Sequence, residues 1–198
     1  MIVKLEFTDE FINRLIAGDR QAFSDLVDQT SSRIYALGLR MLMNEQDAED
    51  MLQETYLKAY KALPTFEKRS SITTWLFRIA ANEALMTLRK RKKAVNLTDL
   101  NDPGTEEDEP MEIVDWCCLP EEELISSETR TMLERAAQHL SPALRLVFQL
   151  RDVEGFSGQQ TAEILGIHED AVKTRLVRAR LKLREQLSTY FRERMESR

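Results

Sequence analysis

The sequence is poor in the residues that cross-link, punctuate or span. It holds 2 cysteines, 6 glycines and 5 prolines in 198 residues, which excludes collagen-like, low-complexity and disulfide-scaffold chains. The two cysteines, Cys117 and Cys118, are adjacent, so a reduced, cytoplasmic protein is expected. Next to Trp116 they pose a choice between a redox or metal sensor and small apolar anchors. Neighbouring cysteines pair poorly, which favours the anchors. Apolar runs are also short: none exceeds the six residues 34–39 (counting Gly38), far below the ~20 needed to cross a bilayer. No membrane insertion is expected. The opening Met-Ile-Val-Lys-Leu-Glu has neither a basic nor a long apolar signal region, so no signal peptide is expected. The two histidines, His139 and His168, stand far apart without partners at ligand spacing. No metal, no cofactor and no nucleophile–base pair emerges, so the chain does not read as an enzyme.

Charge is present but segregated. The whole chain carries −6, which speaks against a simple basic nucleic-acid binder. Residues 94–125 hold 11 acidic residues and neither Lys nor Arg, leaving +5 for the remainder. This stretch also contains Pro103, Gly104, Pro110 and Pro120, and reads as an acidic linker. Basic residues gather just before it, from Arg89 to Lys93, and again at Lys173, Arg175, Arg178, Arg180, Lys182 and Arg184. Two basic-tipped modules joined by an acidic tether are expected, over 10–93 and 126–198.

Both modules carry helical periodicity and no period-2 strand pattern, so the fold class is all-α. Helices are expected over Thr8–Ala17 with Gly18 as a stop, after Asp19 as a cap, and from Asp47 to about Leu63 before Pro64. Along the last of these, Met51, Leu52, Tyr56, Ala59 and Tyr60 form the apolar side. Asp47, Glu49, Asp50, Gln53, Glu54 and Lys58 face out. Another helix starts at Thr73. In the second module a helix spans about Ser127–His139, Ser141-Pro142 opens the next, and Ser157 with Gln160 makes a capping box for a third.

Residues 158–177 fit a helix-turn-helix. Ala162 is small where two helices cross, Gly166 supplies the turn, and Ile167, Val172 and Leu176 lock the second helix. The other face of that helix shows Glu169, Asp170, Lys173, Thr174, Arg175 and Arg178. Such a helix fits the major groove, where Arg and Lys read guanine edges or hold phosphates. A generic helical hairpin with a solvated basic face is the plainer alternative.

Two further stretches carry a resemblance. Asp47-Ala-Glu-Asp-Met-Leu-Gln-Glu-Thr-Tyr-Leu-Lys-Ala-Tyr-Lys-Ala-Leu63 resembles the core-binding segment of bacterial sigma factors. Phe66 with Thr74-Trp-Leu-Phe-Arg-Ile-Ala-Ala-Asn82 resembles their promoter-melting and −10 segment, and Ala171–Arg180 is similar to their −35 recognition helix. In order and spacing the three match the small extracytoplasmic-function (ECF) group of the sigma-70 family, which keeps regions 2 and 4.

The resemblance implies a two-domain factor without catalysis of its own, which binds core RNA polymerase at the β′ clamp helices and β flap. Asp47, Asp50, Gln53, Glu54 and Lys58 are then the core-binding residues. Capturing unstacked −10 bases takes aromatic platforms beside cations. Lys68, Arg69, Trp75, Phe77, Arg78, Asn82, Met86 and Arg89 are the expected set, although Trp75 also falls at an inward spacing. Asn82 matches the family's Asn. Met86 stands where the family often has Asp, and Lys68-Arg69 where it has Gly-Asp. Promoter DNA and an anti-sigma factor are the other implied partners. The linker is expected to mimic nucleic acid inside polymerase. The rival reading is a stand-alone helix-turn-helix regulator binding duplex DNA, usually as a dimer. No dimerisation heptad is present to support it.

Overall fold

A computed structural model describes residues 7–96 and 127–196. The acidic stretch from 97, including Trp116, Cys117 and Cys118, lies outside the described residues. Eight α-helices account for the described chain, and no strand occurs among the described residues: α1 Asp9–Ile16, α2 Arg20–Leu42, α3 Glu45–Ala62, α4 Ile72–Asn96, α5 Ser127–Gln138, α6 Pro142–Phe148, α7 Gly158–Leu165 and α8 Glu169–Glu196.

Local chemistry explains most helix ends. Thr8 accepts from the Phe11 amide to cap α1, and Asp19 accepts from the amides of Gln21 and Ala22 to cap α2. The Arg14 guanidinium bonded to Asp19 holds that carboxyl below the usual carboxylate range. α3 begins two residues before the expected Asp47, because Asn44 accepts from the Asp47 amide and serves as the cap. Pro64 turns the chain into one short 3-10 turn, Leu63–Thr65. α4 begins at Ile72, one residue before the expected Thr73, and Ser71 caps it by accepting from the Thr74 amide at 3.0 Å. Ser141 precedes Pro142 as expected but makes no side-chain cap bond, whereas Ser157 and Gln160 form the full capping box on α7. α6 continues into a π-helical turn over Gln149–Val153, a bulge that re-aims the chain toward Glu154 and Phe156.

The first module packs α2, α3 and α4 around Ile34, Leu37, Met41, Met51, Leu76 and Ala80, all essentially buried. α2 and α3 approach closely at Gly38. A Cβ placed there would lie 2.9 Å from the Met51 terminal methyl and 3.2 Å from the Ala48 Cβ. Gly38→Val is expected to cost about 2–3 kcal/mol of stability, because Ala48 belongs to a helix backbone that cannot retreat. Gly38→Ala should cost less, since Met51 can swing its methyl away. Thermal denaturation of the two variants checks the order.

Thr30 and Tyr56 meet inside this core at 2.6 Å. The Thr30 hydroxyl proton goes to the Leu26 carbonyl, so Tyr56 is the donor to Thr30. Burial pushes the Tyr56 phenol up to about 12. The folded protein therefore keeps this proton where the unfolded chain, with its phenol near ~10, releases it. The sign follows: the contribution is intact below about pH 10 and declines as pH rises toward 12. In urea midpoints measured across that range, Tyr56→Phe should flatten the decline.

The second module packs Ala136, Ala137, Leu140, Leu144 and Phe148 against Ala179 and Leu183 of α8. Val147, Val172 and Leu176 form a neighbouring cluster with Ala162 and Ile167 of the helix-turn-helix.

The two modules are not merely tethered. Leu146, Leu150, Phe156 and Ile164 of the second join the core of the first. Phe156 meets Phe77 edge-on, with ring centroids 4.8 Å apart. Glu154, 6 % exposed at its side chain, accepts from Arg33 Nε at 2.9 Å and Arg40 Nη1 at 3.4 Å. The Arg33 guanidinium also sits 5.2 Å from the Phe77 ring centroid and 5.9 Å from that of Phe156. Arg145 Nη1 donates 3.0 Å to the Met41 carbonyl across the same boundary.

Candidate polymerase and nucleic-acid surfaces

α3 is held by Ala48, Met51, Thr55, Tyr56 and Ala59, all turned inward. Its opposite stripe is therefore obliged to face water, and the structure leaves Asp50, Gln53, Glu54 and Lys58 exposed there. Asp50 accepts from Gln46 at 3.3 Å, and Lys58 reaches across to Glu83 of α4 at 2.6 Å. Asp47 is the exception to the open stripe: it is half-buried and ion-paired to Arg91.

Two residues on this surface escaped the sequence argument. Leu57 is 53 % exposed and Tyr60 46 % exposed. Tyr60 was expected inward; instead its ring lies against Phe23 at 5.0 Å while much of its surface stays open. Leu57 had a readable signal: it falls three residues after Glu54 and seven after Asp50, an apolar residue on an otherwise polar stripe. Acid, amide and a central apolar knob together suit docking onto a helical partner.

Along α4, Arg78, Asn82, Met86 and Arg89 are all exposed at spacings of four, four and three, which puts them on one stripe. The structure thus brings four of the expected −10 residues together. The aromatics behave differently. Trp75 is half-buried and stacks obliquely on Phe66 at 5.2 Å, so it is a wall of the core with one edge outward. Phe77 is fully buried under Phe156 and offers no face to a base in this arrangement. It packs beside Leu76 and Ala80 in the same core. Lys68 sits in the left-handed region (φ 57°) and donates to Asn13 of α1, while exposed Arg69 pairs with Glu67 at 2.6 Å. Ser70, Ser71 and Thr74 line a cleft of about 550 Å³ whose far wall is Ser157, Gln160 and Glu163 of the second module.

The helix-turn-helix has the expected geometry. Gly166 takes the left-handed conformation (φ 66°), and the Ile167 amide donates to Ala162 across the turn at 3.1 Å. Of the expected readers, Glu169, Asp170, Lys173 and Thr174 are exposed, and Arg175 and Arg178 are half-buried. Lys173 pairs with Asp170 at 3.3 Å and lies 4.0 Å from Glu169, so the acids partly neutralise the helix tip. The Glu169 carboxylate also leans over Gly158 at the start of α7. Thr174 spends its proton on the Asp170 carbonyl, leaving its oxygen to accept. Arg180 is spoken for: it grips Asp152 through two bonds of 2.9 and 2.7 Å, which raises its pKa. Among the described residues, no three His, Cys, Asp or Glu side chains converge as metal ligands, and no helix is long and apolar enough to cross a membrane.

Comparison with known proteins places both modules in one family. Residues 17–94 match the sigma-70 region 2 family and residues 130–183 the sigma-70 region 4 family. The ECF RNA polymerase sigma factor SigW of Bacillus subtilis is 36 % identical over 177 residues, covering 89 % of this chain and 94 % of that one. The RNA polymerase sigma-H factor of Pseudomonas aeruginosa is 30 % identical over 188 residues, covering 95 % and 97 %. In three dimensions the chain resembles the sigma factor RpoE of Bartonella quintana, solved in complex with the anti-sigma factor NepR. That match has a TM-score of 0.63 at 27 % identity, over 84 % of this chain and 96 % of the other. With both region families matched in order across two helical modules, the chain belongs to the ECF group of the sigma-70 family, whose members are non-enzymatic transcription initiation factors.

Proposed function

We propose that the module at 10–93 docks core RNA polymerase and holds the −10 strand, and that the module at 126–198 reads the −35 duplex, with 94–125 linking them. The observation that carries this is the separation of two exposed stripes on one module. The α3 stripe of Asp50, Gln53, Glu54, Leu57 and Lys58 is acidic, amide and apolar; the α4 stripe of Arg78, Asn82, Met86 and Arg89 is cationic and amide. The first fits a basic protein partner, here the β′ clamp helices, and the second fits a nucleic-acid strand. Asn82 offers a donor and an acceptor to one base edge, and Arg78 and Arg89 flank it for phosphate. Lys68 and Arg69 frame the strand's entry, and Trp75 offers an edge. Phe77 acts by supporting α4 from within.

On α8, Lys173, Arg175 and Arg178 serve guanine edges and phosphates, while Glu169 and Asp170 accept from cytosine amino groups. The β flap of polymerase and an anti-sigma factor are further partners, and the cytoplasm is the compartment in which these partners meet. Family membership and the absence of any dimer-forming heptad favour this reading over a stand-alone regulator.

Reconstituted initiation tests it. Core polymerase supplemented with this chain should transcribe from a restricted set of promoters and open them around −10, as read by permanganate footprinting. A chain that leaves core polymerase unchanged, yet binds duplex sites alone, overturns the proposal in favour of an autonomous regulator.

A further inference from the structure

The −35 and −10 elements lie roughly 25 base pairs apart, about 85 Å along B-form duplex. In this structure the helix assigned to the −10 strand packs directly on the first helix of the helix-turn-helix. Phe77 touches Phe156, and Ser71 faces Ser157 across one cleft. One molecule in this arrangement cannot hold both elements. The 30 residues from 97 to 126 span at most about 100 Å when fully extended, which suffices once the modules part.

We propose that Glu154, clamped by Arg33 and Arg40 over the Phe77–Phe156 contact, is a latch that holds the free factor shut, and that its release is a required step in promoter engagement. This rests on the assignment of elements to modules made above. Arg33 and Arg40 are seven residues apart and so share one face of α2, which aims both guanidinium groups at a single carboxylate. Arg33 also donates to the Glu154 backbone carbonyl at 3.2 Å, so it holds the turn as well as the side chain. The carboxylate is buried against the two α2 arginines of the other module. Separation returns all three charges to water, and their rehydration offsets much of the lost attraction. A wholly apolar seam would have no such compensation and would stay closed. The latch therefore suits a contact that must be firm in the free protein and still give way to a larger partner.

The two states differ in shape, so small-angle scattering on the full chain reads them directly. Glu154→Gln and, separately, the Arg33→Ala/Arg40→Ala double variant should raise the radius of gyration by several ångströms with helical circular dichroism unchanged. Both should also tighten apparent binding to core polymerase by about tenfold, because opening no longer opposes it. Scattering curves and core affinities that match wild type in both variants overturn the latch while leaving the sigma role intact. A wild-type chain that fails to bind core polymerase at all overturns that role, and with it the basis for the latch.

Discussion

Removing Asp50 and Glu54 together, as Asp50→Ala/Glu54→Ala, should weaken the complex with core RNA polymerase by about a hundredfold, roughly 2.7 kcal/mol. Both carboxylates are exposed, and neither takes part in the packing of α3 against α2 and α4, so the fold should not notice. The loss should come mainly through faster dissociation, since short-range contacts act on the bound state. Leu57→Ala should add about another tenfold, because an exposed apolar side chain ringed by polar ones gains most from being covered. Asp28→Ala, which removes an exposed acid from α2, serves as the control for net charge. Fluorescence titration of labelled protein with core polymerase gives all four numbers. Unchanged affinity in the double variant would remove the α3 face from the polymerase interface.

The second large effect concerns Arg145, a buried cation with no carboxylate opposite it among the described residues. Its guanidinium donates to the carbonyls of Gln138 and Leu140 at the end of α5, and to Met41 in the last turn of α2. Those carbonyls sit where a helix runs out of its own donors and where the macrodipole is negative, so a cation is the natural partner. Arg91 does the same for the neighbouring Leu42 carbonyl at 2.7 Å. Burial lowers the Arg145 pKa, but an arginine stays charged through any physiological range. Arg145→Met keeps the bulk and strands three carbonyls, which should cost about 3 kcal/mol. In a chain of this size that lowers the melting temperature by about 6–12 °C. Arg145→Lys should fall between the two, since one ammonium on a flexible stem cannot reach three oxygens in different helices. A melting temperature unmoved by Arg145→Met would show that water satisfies those carbonyls.

Much of this could be read in the chain itself. The helix starts at Thr8, Asp19 and Ser157 rest on side chains that accept from amides two or three residues on, a purely local interaction. The same locality makes the turn at Gly166 legible, because the left-handed conformation it adopts favours glycine. The outward stripe of α3 follows from helical phase once Met51, Tyr56 and Ala59 are known to be apolar. Two residues lie other than helical spacing alone suggests, for one physical reason. Tyr60 and Phe77 are both aromatic, and an aromatic residue fits equally well in a core or on a surface that takes up a partner. Only the neighbours decide: Phe23 props Tyr60 against the rim of the first module, and Phe156 closes over Phe77 from the second.

Charge was similarly ambiguous. Six basic residues from Lys173 to Arg184 looked like one patch, yet Arg180 belongs to Asp152 and Lys173 to Asp170. The pairing with Asp152 joins residues 28 apart through a π-helical turn that no propensity foretells. The positions of the helices, the caps at Thr8, Asp19 and Ser157, and the family were legible in the chain, because these depend on spacing within one turn or on motifs in order. Which faces remain open and how the modules meet were settled only by packing. Glu154 lies 121 residues from Arg33 and 114 from Arg40. Nothing in the local pattern of a polar residue tells whether its charge will face water or be matched by another from the far end of the chain.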